Sequence, residues 1–399
     1  MQQSRYELPA AIVPFAGRIM DSDAHEHTPL NFWSENFGSV TADFVSAIKQ
    51  SKLGANASKL ADDTAITAEN VWQLKREQAP GAFDMHRRLE VLDFLGVKRQ
   101  LMFPGPMGLL AASFYSRAED PSLFRSIGGD RRGYARKLVN AYNEWCGRIS
   151  TESNRLRPVA VLIADTPEAL RADAERLIAK GVRAFWFPSD TPPAGLSPAD
   201  RTLDPLWSLL SEADAPALAH TGSDERFFAT TVWRKADAFE GWKAGEEFSL
   251  DPWTLSNMHI PTQSFLTCMV MGGVFERHPT LRYGACEVTA HWIGPATENM
   301  DVWHSHSRIF SQIGGASTLK MRPSEYVKRN VRVSCFDFED VGRYIDRFGL
   351  EEVYCYASDF PHPEGGKDPM GCFVKSLSGH SAETFQKFFV ENGELLLPD

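Results

Sequence analysis

The chain has 399 residues, 43% hydrophobic and 24% charged, which gives it a substantial core and room for one large barrel or two to three ordinary domains. A net charge of −10 and the lack of a long basic run argue against a nucleic-acid footprint. They leave an anionic small substrate open, because a bound cation reverses the local field. No apolar run reaches the ~18 residues of a membrane span. The stretch MQQSRYELPAAIVPFAGRIM lacks a basic segment followed by a clean apolar one, so we expect no signal peptide and a cytoplasmic protein.

The first predicted strand, RIMDSDAHE, runs into DSDAHEHTP at 21–29. Side chains two apart on a strand share a face, so Asp23, His25 and His27 point one way and Glu26 the other. Three groups with lone pairs on one face either begin a metal site or form a polar strand end. Seven more β-like runs follow: RQLMFPG, RPVAVLI, VRAFWFP, APALAHT, LRYGACE, VRVSCFD and VYCYASD. The eight begin near residues 18, 99, 157, 182, 215, 281, 331 and 353. Most are nearly continuous apolar runs, as parallel strands buried on both faces should be.

Helical patterns lie between several of these strands. TPEALRADAERLIAKG opens on a Thr-Pro cap and ends at Gly181, with Leu170, Ala174, Leu177 and Ile178 on one face. DPLWSLLSEADA and DFEDVGRYIDRFG behave alike. Eight strands alternating with helices predict an α/β fold, a (β/α)8 TIM barrel. A doubly wound open sheet is the alternative, weakened by the lack of GxGxxG after the first strand.

We expect a single barrel domain over residues 1–399, with insertions after strands one and five at about 31–98 and 223–265. Long βα segments sit at the C-terminal face, where barrel enzymes build their active sites. Phe227, Phe228, Trp233, Phe239, Trp242, Phe248 and Trp253 fall in the second insertion. They either wall a pocket for an apolar or aromatic substrate, or form the core of the insertion or an oligomer contact. The six cysteines (146, 268, 286, 335, 355 and 372) have no framework spacing, and reduced, buried thiols are expected.

Four strands carry metal-binding side chains at their C-terminal ends. Strand one offers Asp23, His25 and His27, strand five His220, strand six Glu287 and strand eight Asp359. Barrel geometry gathers them at one mouth. A mixed imidazole and carboxylate set suits a divalent ion, zinc first, with manganese or iron as alternatives, as one or two ions. Each has a plain reading too: an aspartate capping a helix, a histidine packed in a core.

These residues also carry a resemblance. The DxHxH start, HTG after strand five, GVFERHPTLRYGACEVTAHWIG (273–294) and YASDFPHPEGG (356–366) resemble the amidohydrolase-related metal enzymes. That branch of the amidohydrolase superfamily includes aminocarboxymuconate semialdehyde decarboxylase and the resorcylate decarboxylases. The tail FFVENGELLLP is similar to the family's closing helix. The resemblance implies that His25 and His27, or Asp23 with His25, are ligands from strand one, His220 from strand five and Asp359 from strand eight. It implies a homo-oligomer as well. The sequence departs at strand six, where decarboxylases of this family have a histidine and this chain has Glu287. His291, one helical turn later, is a partial replacement or an outer contact, and His362 is expected to hydrogen-bond at the mouth.

A bound ion would lower the pKa of its water toward about 7. Asp359 would orient that water and carry its proton, with Glu287 and His291 as further catalytic candidates. The surplus of carboxylates, which would repel a substrate carboxylate, favours a metal-dependent hydrolase acting on an amide, ester, thioester or activated C–C bond. The alternative is a non-oxidative decarboxylase of an aromatic or unsaturated acid. A non-catalytic barrel is a third reading, set against a full ligand set.

Overall fold

Residues 6–50, 60–189, 191–222, 227–228, 230–242, 251–307 and 319–399 are described by the structure, a computed structural model. The strands are short: β1 (Ile19–Asp21), β2 (Val97–Met102), β3 (Leu156–Pro158), β4 (Ala160–Val161), β5 (Phe185–Trp186), β6 (Ala217–His220), β7 (Tyr283–Cys286), β8 (Val331–Ser334) and β9 (Tyr354–Cys355). Each falls on a predicted run. The third run is split at Val159, so β3 and β4 are its halves.

All neighbouring pairs are parallel, in the orders β1-β2-β3 and β4-β5-β6-β7-β8-β9. The halves are joined across Val159, whose N–H donates to Met102 O at 2.9 Å, while Ala160 N–H reaches Ala184 O at 3.0 Å. The other seam joins the first strand to the last. Ser22 N–H donates to Tyr356 O at 3.1 Å, Asp359 N–H to Asp23 O at 2.8 Å and His25 N–H to Phe360 O at 2.8 Å. Bonding of the first strand to the last sets aside the open sheet, and the fold is the α/β TIM barrel. Every residue of β6 and of β7 is buried, as strands covered by helices outside and packed side chains inside must be.

The connecting helices form where the apolar spacing predicts them. The helix Pro167–Ala179 starts at Thr166, whose side chain accepts the Ala169 N–H, and buries Leu170, Ala174 and Leu177. Fully burying one such leucine contributes about 1.5–3 kcal/mol. The helix Val341–Phe348 starts at Asp340 and stops at Gly349, which takes the left-handed conformation, φ 59°.

Regular helices lie within or across both expected insertions. The helix Met85–Leu95 lies inside 31–98, and β2, which begins at Val97, runs across its end. The helix Ile260–Met271 likewise runs through the expected end at 265. In the second insertion Phe228 makes edge contacts with Phe227 at 5.0 Å and Trp253 at 5.3 Å. Trp233 and Trp242 are exposed, so they are not its core. Phe248 lies outside the described residues, as do residues 1–5 of the N-terminal stretch. None of the six cysteines is in a disulfide; Cys146, Cys286, Cys335 and Cys355 are buried and Cys372 is exposed. Among the described residues no helix is long and apolar enough to cross a membrane.

Candidate metal centre

Beyond Asp21 the first strand continues as single bridges, Ala24 to Phe360 and His25 to Phe103. Period-two alternation therefore survives as far as His25, and Asp23 and His25 share the mouth. His220 closes β6, and Glu287 and Asp359 stand just past β7 and β9. All five are at most 4% exposed. His220 Nε2 lies 2.9 Å from Glu287 Oε2 and 3.5 Å from Asp23 Oδ1. His25 Nε2 lies 3.2 Å from Glu287 Oε2, 3.5 Å from Asp359 Oδ1 and 3.8 Å from Asp23 Oδ1.

Donor atoms of Asp23, His25, His220 and Glu287 all fall within 4.8 Å of one another, and so do those of His25, Glu287, Asp359 and His362. His25 and Glu287 belong to both groups and join them. The far side of each imidazole is anchored: His25 Nδ1 faces Pro104 O at 3.2 Å and His220 Nδ1 faces Thr221 O at 3.0 Å. A proton on each Nδ1 leaves the Nε2 lone pair facing the cluster, the arrangement of metal-binding histidines.

Burial pushes the Asp23 carboxyl up, against the pull of His220. Burial alone would lower His220, yet Glu287 and Asp23 beside it hold it well above its ordinary value. Burial would raise Glu287, but His220 and then His25 hold it well below the usual carboxylate range. Among the described residues Asp23 Oδ1 and Glu287 Oε1 are buried without a hydrogen-bond partner. A buried acceptor left so costs about 1–3 kcal/mol. A divalent cation would satisfy both, and the residues fit one.

The backbone is bent to suit. Glu287 and Asp359 both have φ 51°, a left-handed conformation rare outside glycine. Such strain costs about 1–3 kcal/mol and clusters at functional sites.

His27 does not join either group. Its N–H donates to Ala82 O at 2.8 Å rather than to a neighbouring strand, so the chain has left the β register. Its Nδ1 faces Glu77 Oε2 at 3.5 Å, tying the first insertion to the mouth. His291 is exposed. It contacts Thr289 Oγ1 at 2.9 Å and the His259 ring at 4.8 Å, and belongs to neither group. His362 does belong to the second group. Its ring stacks on His25 at 3.7 Å and its Nδ1 is 3.6 Å from Asp359 Oδ1. Burial, then the neighbouring His25, hold its pKa well below the ordinary value.

Further residues hold the strand ends in place. Asp21 accepts from Ser358 N at 2.8 Å, Ser358 Oγ at 2.6 Å and Gln100 Nε2 at 2.7 Å. The buried Arg88 donates to Gln100 Oε1 at 2.9 Å, Gly81 O at 2.6 Å and His25 O at 2.7 Å, with its guanidinium 4.7 Å from the Phe360 ring centre. Asp21 stands in the opening motif, but nothing in the sequence marks Arg88 or Gln100.

Comparison with known proteins adds the following. A family model described as "Amidohydrolase" matches residues 125–398. No curated protein matches. A crystal structure of an amidohydrolase from Mycobacterium avium subsp. paratuberculosis superposes with a TM-score of 0.68 at 17% identity, over 95% of this chain and 99% of the other. A 5-carboxyvanillate decarboxylase from Novosphingobium aromaticivorans, solved with manganese and 4-hydroxy-3-methoxy-5-nitrobenzoic acid, gives 0.59 at 16% identity over 100% and 99% of the two chains. A 2,6-dihydroxybenzoate decarboxylase from Rhizobium gives 0.53 at 13% identity over 95% and 98%.

Proposed function

The chain belongs to the amidohydrolase family, and on that premise we propose that it is a metal-dependent, non-oxidative decarboxylase of a small aromatic or unsaturated carboxylic acid. The observation that carries this reading is a division of labour. Asp23, His25, His220 and Glu287 form a complete four-donor group without Asp359. Asp359 stands in the adjoining group with His25, Glu287 and His362, 3.5 Å from His25 and 3.6 Å from His362, and is the one we assign the proton.

Asp23, His25, His220 and Glu287 would hold the ion, whose positive charge would draw in anionic substrate oxygens and offset the Asp23 and Glu287 carboxylates. In the reaction the bond from carbon to the carboxyl group breaks and carbon dioxide leaves. The electron pair remains on carbon, which must take a proton. Asp359, in its protonated form, would give it, with His362, stacked on His25, 3.6 Å from its carboxyl. Oxygen and imidazole donors without a thiolate suit manganese as well as zinc. The manganese-bound neighbour moves manganese ahead of the zinc-first expectation.

The proposal reverses the order drawn from sequence, where the count of carboxylates favoured hydrolysis. That second reading keeps one observation in its favour: Asp23, Glu287 and Asp359 together disfavour an anionic substrate and favour a neutral carbonyl compound. Product analysis separates the two. Manganese-loaded protein is incubated with hydroxybenzoic acids, 2,6-dihydroxybenzoate first, and with amide, ester and thioester substrates, in 18O-labelled water. Carbon dioxide release with no label in the organic product supports decarboxylation. Labelled acid without carbon dioxide overturns it in favour of hydrolysis.

A further inference from the structure

β6, β7, β9 and the continuation of β1 each bring an ionisable group to the mouth. β8, between β7 and β9, ends in Ser334. Ser334 is buried, and its hydroxyl lies between two members of the centre. Oγ is 3.3 Å from Asp23 Oδ2 and 3.1 Å from the Glu287 amide nitrogen. A hydroxyl has one proton and two lone pairs. Asp23, deprotonated as a metal ligand must be, can only accept, and the amide can only donate. The direction is therefore fixed: Glu287 N–H donates to Ser334, and Ser334 O–H donates to Asp23 Oδ2.

We propose that Ser334 is a positioning residue that selects which oxygen of Asp23 faces the metal and holds Glu287 in register with it. The inference rests on the metal reading of the centre. With Oδ2 engaged by the hydroxyl, Oδ1 is the oxygen that faces His220 at 3.5 Å and His25 at 3.8 Å. Oδ1 is also the buried atom with no hydrogen-bond partner among the described residues. The same hydroxyl accepts the N–H of a residue with φ 51°, whose Oε2 stands 2.9 and 3.2 Å from the two imidazoles. One oxygen thus sets two carboxylates, one just past β7 and one on the continuation of β1. Without it Asp23 can swing both oxygens toward the ion, and a buried N–H loses its acceptor.

The test compares wild type with Ser334→Ala, Ser334→Cys and Ser334→Thr, each metal-freed. Mn2+ affinity is measured by calorimetric titration, the visible spectrum of the Co2+ form is recorded, and thermal unfolding of the metal-free protein is followed. Removing an outer partner of a metal ligand typically weakens binding about 10- to 100-fold, and that loss is expected for Ala and for Cys, which keeps volume but donates weakly. Thr, which keeps the hydroxyl, should stay close to wild type, well short of that loss. The Co2+ band should change in intensity for Ala and Cys as the coordination by Asp23 changes. Should Ala fail to fold, Cys carries the comparison. Wild-type affinity and an unchanged Co2+ spectrum in a folded Ala or Cys variant would overturn the role of Ser334. A lowered metal-free melting temperature with unchanged affinity would reduce it to packing and overturn it equally. A wild type that binds no Mn2+ would overturn the metal reading beneath it, a separately visible failure.

Discussion

Gly105→Ala connects close packing in the barrel mouth to the metal centre. A Cβ at Gly105 would lie 1.9 Å from Glu26 O and 2.9 Å from Glu26 Oε1. Two segments would have to part by more than an ångström at a place where neither is free to move. Glu26 is held by Thr28 N–H at 2.8 Å, Thr28 Oγ at 2.6 Å and Gly105 N–H at 3.1 Å. Overpacking costs about 1–3 kcal/mol. Weakening a hydrogen bond to a buried carboxylate adds about 1.5–3 kcal/mol. A loss of about 3–5 kcal/mol is expected after partial relaxation. The displaced loop also carries Pro104 O, which faces His25 Nδ1 at 3.2 Å. Metal affinity should therefore fall about 10-fold or more together with stability. Urea unfolding of the metal-free protein gives the first quantity and Mn2+ titration the second. Gly128→Ala is the control, because a Cβ there meets nothing within 4 Å; it should change stability by no more than about 0.5 kcal/mol. If Gly105→Ala loses less than about 1 kcal/mol and keeps wild-type affinity, the close approach of these segments does not govern the site.

Three further outcomes can be checked. Glu287→Gln keeps shape and removes charge; elemental analysis should show loss of bound metal, and full metal content would remove Glu287 from the ligand set. His27→Gln should leave metal content unchanged, because His27 faces Glu77 instead of the cluster; a loss of metal would restore it as a ligand. Burial, then His291, lower His259 to about 4 from an ordinary 6.5. The unfolded chain takes up this proton first, so the stability is present above about pH 6.5 and is lost as pH falls toward 4. His259 is only half buried, so screening reduces the loss between about pH 7.5 and 5 to about 1 kcal/mol. Denaturant unfolding of metal-free His259→Gln should show a shallower acid slope, and an identical slope would refute the assignment.

The barrel was legible because most strands are short apolar runs, and the candidate centre because four strand ends carry a charged or imidazole side chain. Asp23, His25, His220, Glu287 and Asp359 could be named from that pattern. His27 shows its limit. Alternation holds only while the backbone stays in the ladder, and a strand that leaves after His25 is invisible to a period-two count. The insertion ends were hard to read for a related reason, since the helices Met85–Leu95 and Ile260–Met271 lie next to irregular chain. Arg88 was not legible because an arginine on a helix usually faces water. Only the folded chain shows it buried, with its donors spent on Gly81, Gln100 and His25. Ser334 is equally silent in sequence, because its role depends on β7 and on the continuation of β1, which the closed barrel brings to it.

The seam between the first strand and the last has a consequence for how the molecule is assembled. Asp23 and Asp359 are hydrogen-bonded neighbours in the barrel yet lie near opposite ends of the chain. During synthesis this seam cannot close until the segment bearing Asp359 has emerged, whatever the earlier strands have done. Contacts of such sequence separation form late and slowly. An ion recognising the closed mouth adds stability through mass action, about 2.7 kcal/mol at a hundredfold excess over its Kd. The proposed ligands would tie the continuation of β1 to β6 and β7, and so support the first strand at the joint that closes last. An ion bound as proposed would act as a latch on the first strand, and its scarcity should first be felt as proteolysis of that strand rather than as melting of the whole barrel.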